Sequence, residues 1–267
     1  GFAPDHVDVK NNVFMNVNDH GVFVNGVDDW NIEENLFKGI GQTNGSLGNS
    51  TNSAILIWAS TNLSVTNNVA ETVDYNGLGL DGVHNVTVTG NSYSNINLSG
   101  LQVAGVSGNV AVTGNTYLNV NLIDQSDRGV FRIYGQTFDG TVSFTENIIT
   151  GGVAAFGVKS GNNIAGKDIH FNNNSITGLT SPTAIRHTGT GTLDASCNWY
   201  GTTDPMIINP QISGDVTYTP FGTNGTDNDL ITPGFQPVPG ACSGCAGPTV
   251  TNTTRMETFC SLQAAID

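Results

Sequence analysis

The chain carries little charge, and most of it is of one sign. Charged residues make up 11% of its 267 positions, with 8 Lys and Arg against 22 Asp and Glu, for a formal net charge of −14. So few cations argue against nucleic acid as a partner, because neutralising phosphates takes clustered Lys and Arg. No apolar run approaches the ~20 residues that a bilayer-spanning helix needs, so no membrane span is expected. The 3.6-residue apolar stripe of an amphipathic helix is also missing, which excludes a helical bundle. The four cysteines contain one CxxC, Cys242 to Cys245, without the second matched pair that zinc requires or the βαβ pattern of a thioredoxin-like site.

In place of these features there is a repeat. An alternating apolar strand, a bend and an asparagine return eight times, as in VDVKNNVF (7–14), WNIEENLF (30–37), VTVTGNSY (86–93), VAVTGNTY (110–117) and LDASCNWY (193–200). The shared asparagines are Asn12, Asn35, Asn68, Asn91, Asn115, Asn147, Asn174 and Asn198. A period of two to three dozen residues belongs to a stacked solenoid, and the period-2 alternation within each copy makes the unit a coil of short strands. A second, Gly-flanked alternating run follows each copy, for example HGVFVNG (20–26), NGLGLDG (76–82) and SGLQVAG (99–105). Asparagine suits tight bends, and stacked amides can bond in a ladder, so these asparagines read as structural. The predicted fold is all-β: a right-handed parallel β-helix of about eight coils, a rod on the order of 35 Å long at ~4.8 Å per rung.

Phrases such as NVTVTGNSY (85–93) and NVAVTGNTY (109–117) resemble the repeat of the right-handed, pectate-lyase-like β-helix superfamily. The resemblance covers about residues 5–221. It implies the fold but not one activity, since the superfamily holds polysaccharide lyases, glycoside hydrolases, uronate epimerases, phage tailspikes and non-catalytic surface proteins. ASCNWYGTTDPMIINPQISGDVTYTPF (195–221) resembles the closing coil of bacterial surface β-helix proteins, with Tyr200 and Asp204-Pro205 standing where a second Trp and a Gly-Pro are usual. Trp199, Tyr200, Tyr218 and Phe221 are expected to cover the last rung's apolar interior.

Three domains are expected: the β-helix over 1–221, a Gly/Thr/Pro-rich linker over 222–252, and over 253–267 the start of a following β-helix domain, its TFCSLQAAID (258–267) resembling a cap helix. The first strand begins almost at Gly1, so the chain reads as a piece of something longer. No cofactor is required; calcium is the one candidate, with Asp227 and Asp229 offering oxygens outside any known calcium-loop spacing. The linker and tail cysteines Cys242, Cys245 and Cys260 suggest a disulfide among themselves, while Cys197 reads as a buried free thiol.

Enzymes of the superfamily place their sites on one outer face of the stack. Strict alternation in the second run puts two files outward: Phe23, Leu56, Gly79, Gln102, Arg132, Gly157, Arg186, and beside it Asn25, Trp58, Asp81, Ala104, Tyr134, Lys159, Thr188. Arg132, Lys159 and Arg186, with Arg128 just upstream, form a cationic strip beside Tyr134, Trp58 and Asp81 that suits an anionic glycan through paired charges and ring stacking. Hydrolysis needs two carboxylates astride the bond. The nearest approach is Asp28, Asp29 and His20, several coils from the strip, so no catalytic set is assigned.

The reading is a non-catalytic module of a secreted or cell-surface multidomain protein, a rigid spacer and adhesin whose partners are an extracellular glycan or neighbouring domains of the same protein. A lyase or hydrolase fragment is the first alternative. A filament or baseplate subunit is the second.

Overall fold

The computed structural model describes residues 6–41, 52–244, 250–252, 254 and 257–259. Three parallel sheets run the length of a solenoid. Sheet A has nine strands, from Val7–Lys10 to Val216–Thr217; sheet B has seven, from Val13–Met15 to Ser175–Thr177; sheet C has eight, from Val22–Asn25 to Ile212–Ser213. Each coil visits A, B and C in turn, and each strand between the ends of a sheet pairs with the equivalent strand of the coils before and after it. The register is that of the sequence copies, with Val7 opposite Trp30 and Val86 between Leu63 and Val110.

The bend from sheet A to sheet B is the ladder. In each link an Asn Nδ2 and its own backbone N–H both donate to the Oδ1 of the next Asn, as Asn91 does to Asn115 at 2.9 Å and 2.9 Å. Seven such links join all eight asparagines from Asn12 to Asn198. The second Nδ2 proton goes to a carbonyl, Val65 O in the case of Asn91. The left-handed backbone of the bend belongs to the residue before each asparagine: Asn11, Glu34, Asn67, Gly90, Gly114, Glu146, Asn173 and Cys197 all have φ between 54° and 69°. That residue makes the corner and the asparagine turns inward to satisfy it.

The interior is filled by the inward files of the three sheets, among them Ile32, Val65, Val88, Val112 and Phe144, each 0% exposed. The glycines that open sheet C strands have a packing reason. A Cβ at Gly77 would sit 2.5 Å from the Tyr93 ring, one at Gly100 2.6 Å from Tyr117, and one at Gly21 2.6 Å from Phe37. Sheet B's large rings occupy the volume that a side chain would need there. Tyr93 and Tyr117 stack at 5.0 Å, and burial raises both hydroxyl pKa values.

At the last coil, Asp204 caps the one-turn helix Pro205–Ile208 by accepting from Met206 N at 2.8 Å. Tyr200, Ile208 and Phe221 close the core, with Tyr218 half-buried beside them. Trp199 is not part of this lid. It is half-buried outside the core, and a Cβ at Gly225 would fall 2.1 Å from its indole nitrogen.

Residues 222–244, expected as an interdomain linker, fold back as a strap along the A–B corner. Phe235 is 2% exposed and its N–H donates to Glu146 O at 2.7 Å, while Gly234 packs on Gly114. Thr223 N bonds Ala241 O, and Phe221–Gly222 pairs antiparallel with Cys242–Gly244. The corner geometry explains why Cys197 is neither buried nor free. Its left-handed position faces it away from the core, and it is disulfide-bonded to Cys242. Cys245 and Cys260 lie outside the described residues. Val250–Asn252 and Glu257–Phe259 form a small antiparallel pair, so Thr258 and Phe259 are in a strand and not in the expected cap helix; the rest of that segment lies outside the description.

Candidate functional site

The candidate site lies on the outer face of sheet C, where both outward files of the sequence fall. The first file is aligned as the alternation requires: Phe23, Leu56, Gly79, Gln102, Arg132, Gly157 and Arg186 pair in succession. The second holds for Asn25, Trp58 and Asp81, and then breaks. Between Val103 and Gly105 the register slips, with Val103 opposite Ile133 but Gly105 opposite Thr137. This bulge needs a glycine, since a Cβ at Gly135 would meet Ala104 O at 1.1 Å. Tyr134 is thereby raised out of the file, with its ring 4.6 Å from the Arg132 guanidinium and 4.0 Å from Lys159 Nζ.

In front of the bulge lies a groove of about 550 Å³. Gly79 leaves its floor low between Leu56 and Gln102, and Phe23, Trp58, Tyr75 and Tyr134 supply aromatic walls. Trp58 is 44% and Tyr134 39% exposed, and Phe23 meets Trp58 edge to face at 5.3 Å. The polar groups are Asp19, His20, Ser53, Asn76, Asp81 and Gln102. His20 Nδ1 accepts from Ser53 N at 3.0 Å, which leaves the ring proton of the neutral form on Nε2, facing Asp19 at 3.9 Å. Rings and hydrogen-bonding groups facing one cleft are what a sugar needs: apolar faces to stack and hydroxyls to satisfy.

The cationic strip is aligned, but it is not open to solvent. Arg132 is 4% and Arg186 8% exposed. The segment 121–130, longer than the corresponding 74–77 and 97–100 of earlier coils, folds over them. Arg132 Nη2 donates to Asp127 and Arg186 Nη1 to Asp124, both at 2.7 Å. These pairs fasten the segment to the sheet. Burial, and then the charge of Arg128, lower the pKa of Arg132. Arg128 itself is 6% exposed, lies over the Tyr75 ring and donates to Gln125 Oε1. Its Nη1 is buried with no hydrogen-bond partner among the described residues, and no carboxylate pairs with it there.

The catalytic candidates are not brought together. His20 faces the groove, whereas Asp28 and Asp29 open a sheet A strand. Asp28 accepts from Thr61 and Asn62, whose hydrogen bonds lower its pKa, and Asp29 is bonded to His6. Asp227 and Asp229 use their oxygens to fix the strap: Asp227 accepts from Asp229 N and Gln236 N, and Asp229 from Ile231 N and the Thr232 hydroxyl. Tyr75, Asp124 and Asp127 were not among the sequence candidates. The one available signal was the longer segment at 121–130.

No curated protein matches this chain, and no solved structure does. The family model described as right handed beta helix region matches residues 3–176, well over half of the sequence. With its three parallel sheets and continuous ladder, the chain belongs to the right-handed β-helix family.

Proposed function

We propose that this β-helix is a non-catalytic carbohydrate-binding module of a secreted surface protein, a rigid spacer that holds an extracellular glycan in the sheet C groove. The observation that carries the reading is the convergence of Trp58, Tyr75 and Tyr134 on one groove between Asp81 and Gln102. Exposed rings set around a glycine floor contribute little to the core, and sugar stacking gives them a use. An anionic glycan is favoured by Lys159, whose ammonium stands over the Tyr134 ring of the groove wall and can pair with a ligand carboxylate or sulfate. The Cys197–Cys242 disulfide accords with an oxidising compartment outside the cytosol.

The test is a glycan array probed with the intact chain and with Trp58→Ala and Tyr134→Ala. The reading requires binding to uronate-bearing or sulfated glycans that weakens in both variants and with rising salt, as exposed charges are screened within ~10 Å at 0.1 M. Appearance of new reducing ends or unsaturated uronate during incubation would favour the enzyme alternative.

A further inference from the structure

The strap carries a site that the groove does not explain. Five triplets among the described residues read Asn-X-Ser/Thr, the acceptor pattern for N-linked glycans: Asn62-Leu63-Ser64, Asn85-Val86-Thr87, Asn97-Leu98-Ser99, Asn173-Asn174-Ser175 and Asn224-Gly225-Thr226. In four of them the asparagine is tied down by packing or by a side-chain hydrogen bond. Asn97 donates to Asp74 at 2.9 Å, and its Ser99 is 0% exposed. Asn173 is half-buried at the corner beneath the strap. Asn62 donates to Asp28 and Asn85 donates to Asn62, and the two stand on adjacent coils ~4.8 Å apart, where a sugar on one would displace the other.

Asn224 is exposed, as Asn62 and Asn85 are, but unlike theirs its Nδ2 donates to no other side chain among the described residues. Asn224, Gly225 and Thr226 are all exposed. Asn224 Oδ1 accepts from Thr226 N at 2.8 Å, which holds the amide and the threonine hydroxyl on the same turn, and its Nδ2 has no partner among the described residues. The middle residue is fixed by packing, because only glycine fits against Trp199.

We propose that Asn224 carries an N-linked glycan. It rests on the secreted reading, since the donor acts outside the cytosol. The donor class is a polyprenyl-phosphate-linked oligosaccharide. Asn224 Nδ2 attacks the anomeric carbon and the C–N bond forms as the C–O bond to phosphate breaks. The phosphate leaves with the electron pair, and the amide proton passes to a base of the transferase. The strap lies on the A–B corner, and in a three-sided coil that corner is opposite sheet C. A glycan there covers the Trp199 and disulfide side and leaves the groove open.

The experiment expresses the full chain through a secretory pathway that has an oligosaccharyltransferase, then maps glycopeptides by mass spectrometry with and without peptide-N-glycosidase. The expected result is glycan on the strap peptide, aspartate at position 224 after enzymatic release, and loss of the modification in both Asn224→Gln and Thr226→Ala. An intact Cys197–Cys242 disulfide in the same sample reports passage through the oxidising compartment, so failure of secretion is read separately. An unmodified Asn224 in that disulfide-bonded protein overturns the proposal, as does modification that persists in Thr226→Ala.

Discussion

Cys197 stands in the left-handed corner before ladder residue Asn198 and is bonded to Cys242, 45 residues further on, where the strap returns to its starting point. The bond closes the strap while Phe235 and Gly234 hold its middle against Glu146 and Gly114. Disulfides typically contribute about 2–4 kcal/mol. Cys197→Ser should therefore lower the melting temperature by several degrees, at roughly 2–4 °C per kcal/mol for a chain of this size. The same treatment with a thiol reductant should reproduce the shift in the parent and do nothing further in the variant. Unchanged melting in Cys197→Ser would mean that the strap is held by its backbone contacts alone.

Asn115 is in mid-ladder, donating to Asn147 Oδ1 and Val88 O and accepting from both nitrogens of Asn91. Asn115→Ala strands buried donors and acceptors on two neighbours, at about 1–3 kcal/mol for each group left unsatisfied. Asn12, at the start of the ladder and exposed, leaves fewer groups stranded. Calorimetry of the two alanine variants should show the larger loss at Asn115. Equal, small losses would remove the ladder as a source of stability.

Much of this architecture was legible because period and register are local properties. The alternation in VTVTGNSY and SGLQVAG was enough to place the strands of the repeating coils, each ladder asparagine and the first outward file in the right order. The rest depended on contacts distant in sequence. Nothing near Cys197 marks it as a corner residue until the φ of its position is known, and nothing near 222–244 shows that its prolines and glycines fit the corner glycines Gly90 and Gly114. The strip was misjudged for a related reason. Alternation says which side of a sheet a residue faces, but not what folds over it, and Asp124 and Asp127 come from a neighbouring segment. Tyr75 reached the groove from a bend outside the alternating run.

Gly100 tests the packing of the B–C corner. Its missing Cβ is the space taken by Tyr117, at 2.6 Å. Gly100→Ala should cost about 1–3 kcal/mol through overpacking, and Tyr117→Phe should not relieve it, because the clash is with ring carbons and not with the hydroxyl. Full recovery of stability in the double variant would contradict this packing.

His170 makes a pH-dependent clasp between the last coils. Its Nε2 is 2.6 Å from Asp168 Oδ1 and its Nδ1 3.2 Å from Asp194 Oδ2, so both ring nitrogens face acceptors, as the doubly protonated ring requires. Partial burial pulls its pKa down, but the bonds to Asp168 and Asp194 outweigh that and leave it above 6.5. A raised folded value means a contribution fully present below the unfolded pKa and lost as pH rises through the folded one. Melting temperature should fall over that interval in the parent and less in His170→Gln. A ring titration by NMR at or below 6.5 would contradict the clasp.

The proposal that the sheet C groove binds a glycan is tested most directly by the emission of Trp58. In a Trp30→Phe, Trp199→Phe background it is the single tryptophan, 44% exposed in the groove wall. Titration with an acidic oligosaccharide should shift and saturate its fluorescence, with a matching affinity by calorimetry and loss of both signals in Tyr134→Ala. Calorimetric binding that leaves Trp58 emission unchanged would place the glycan on another face and contradict the groove as the binding site.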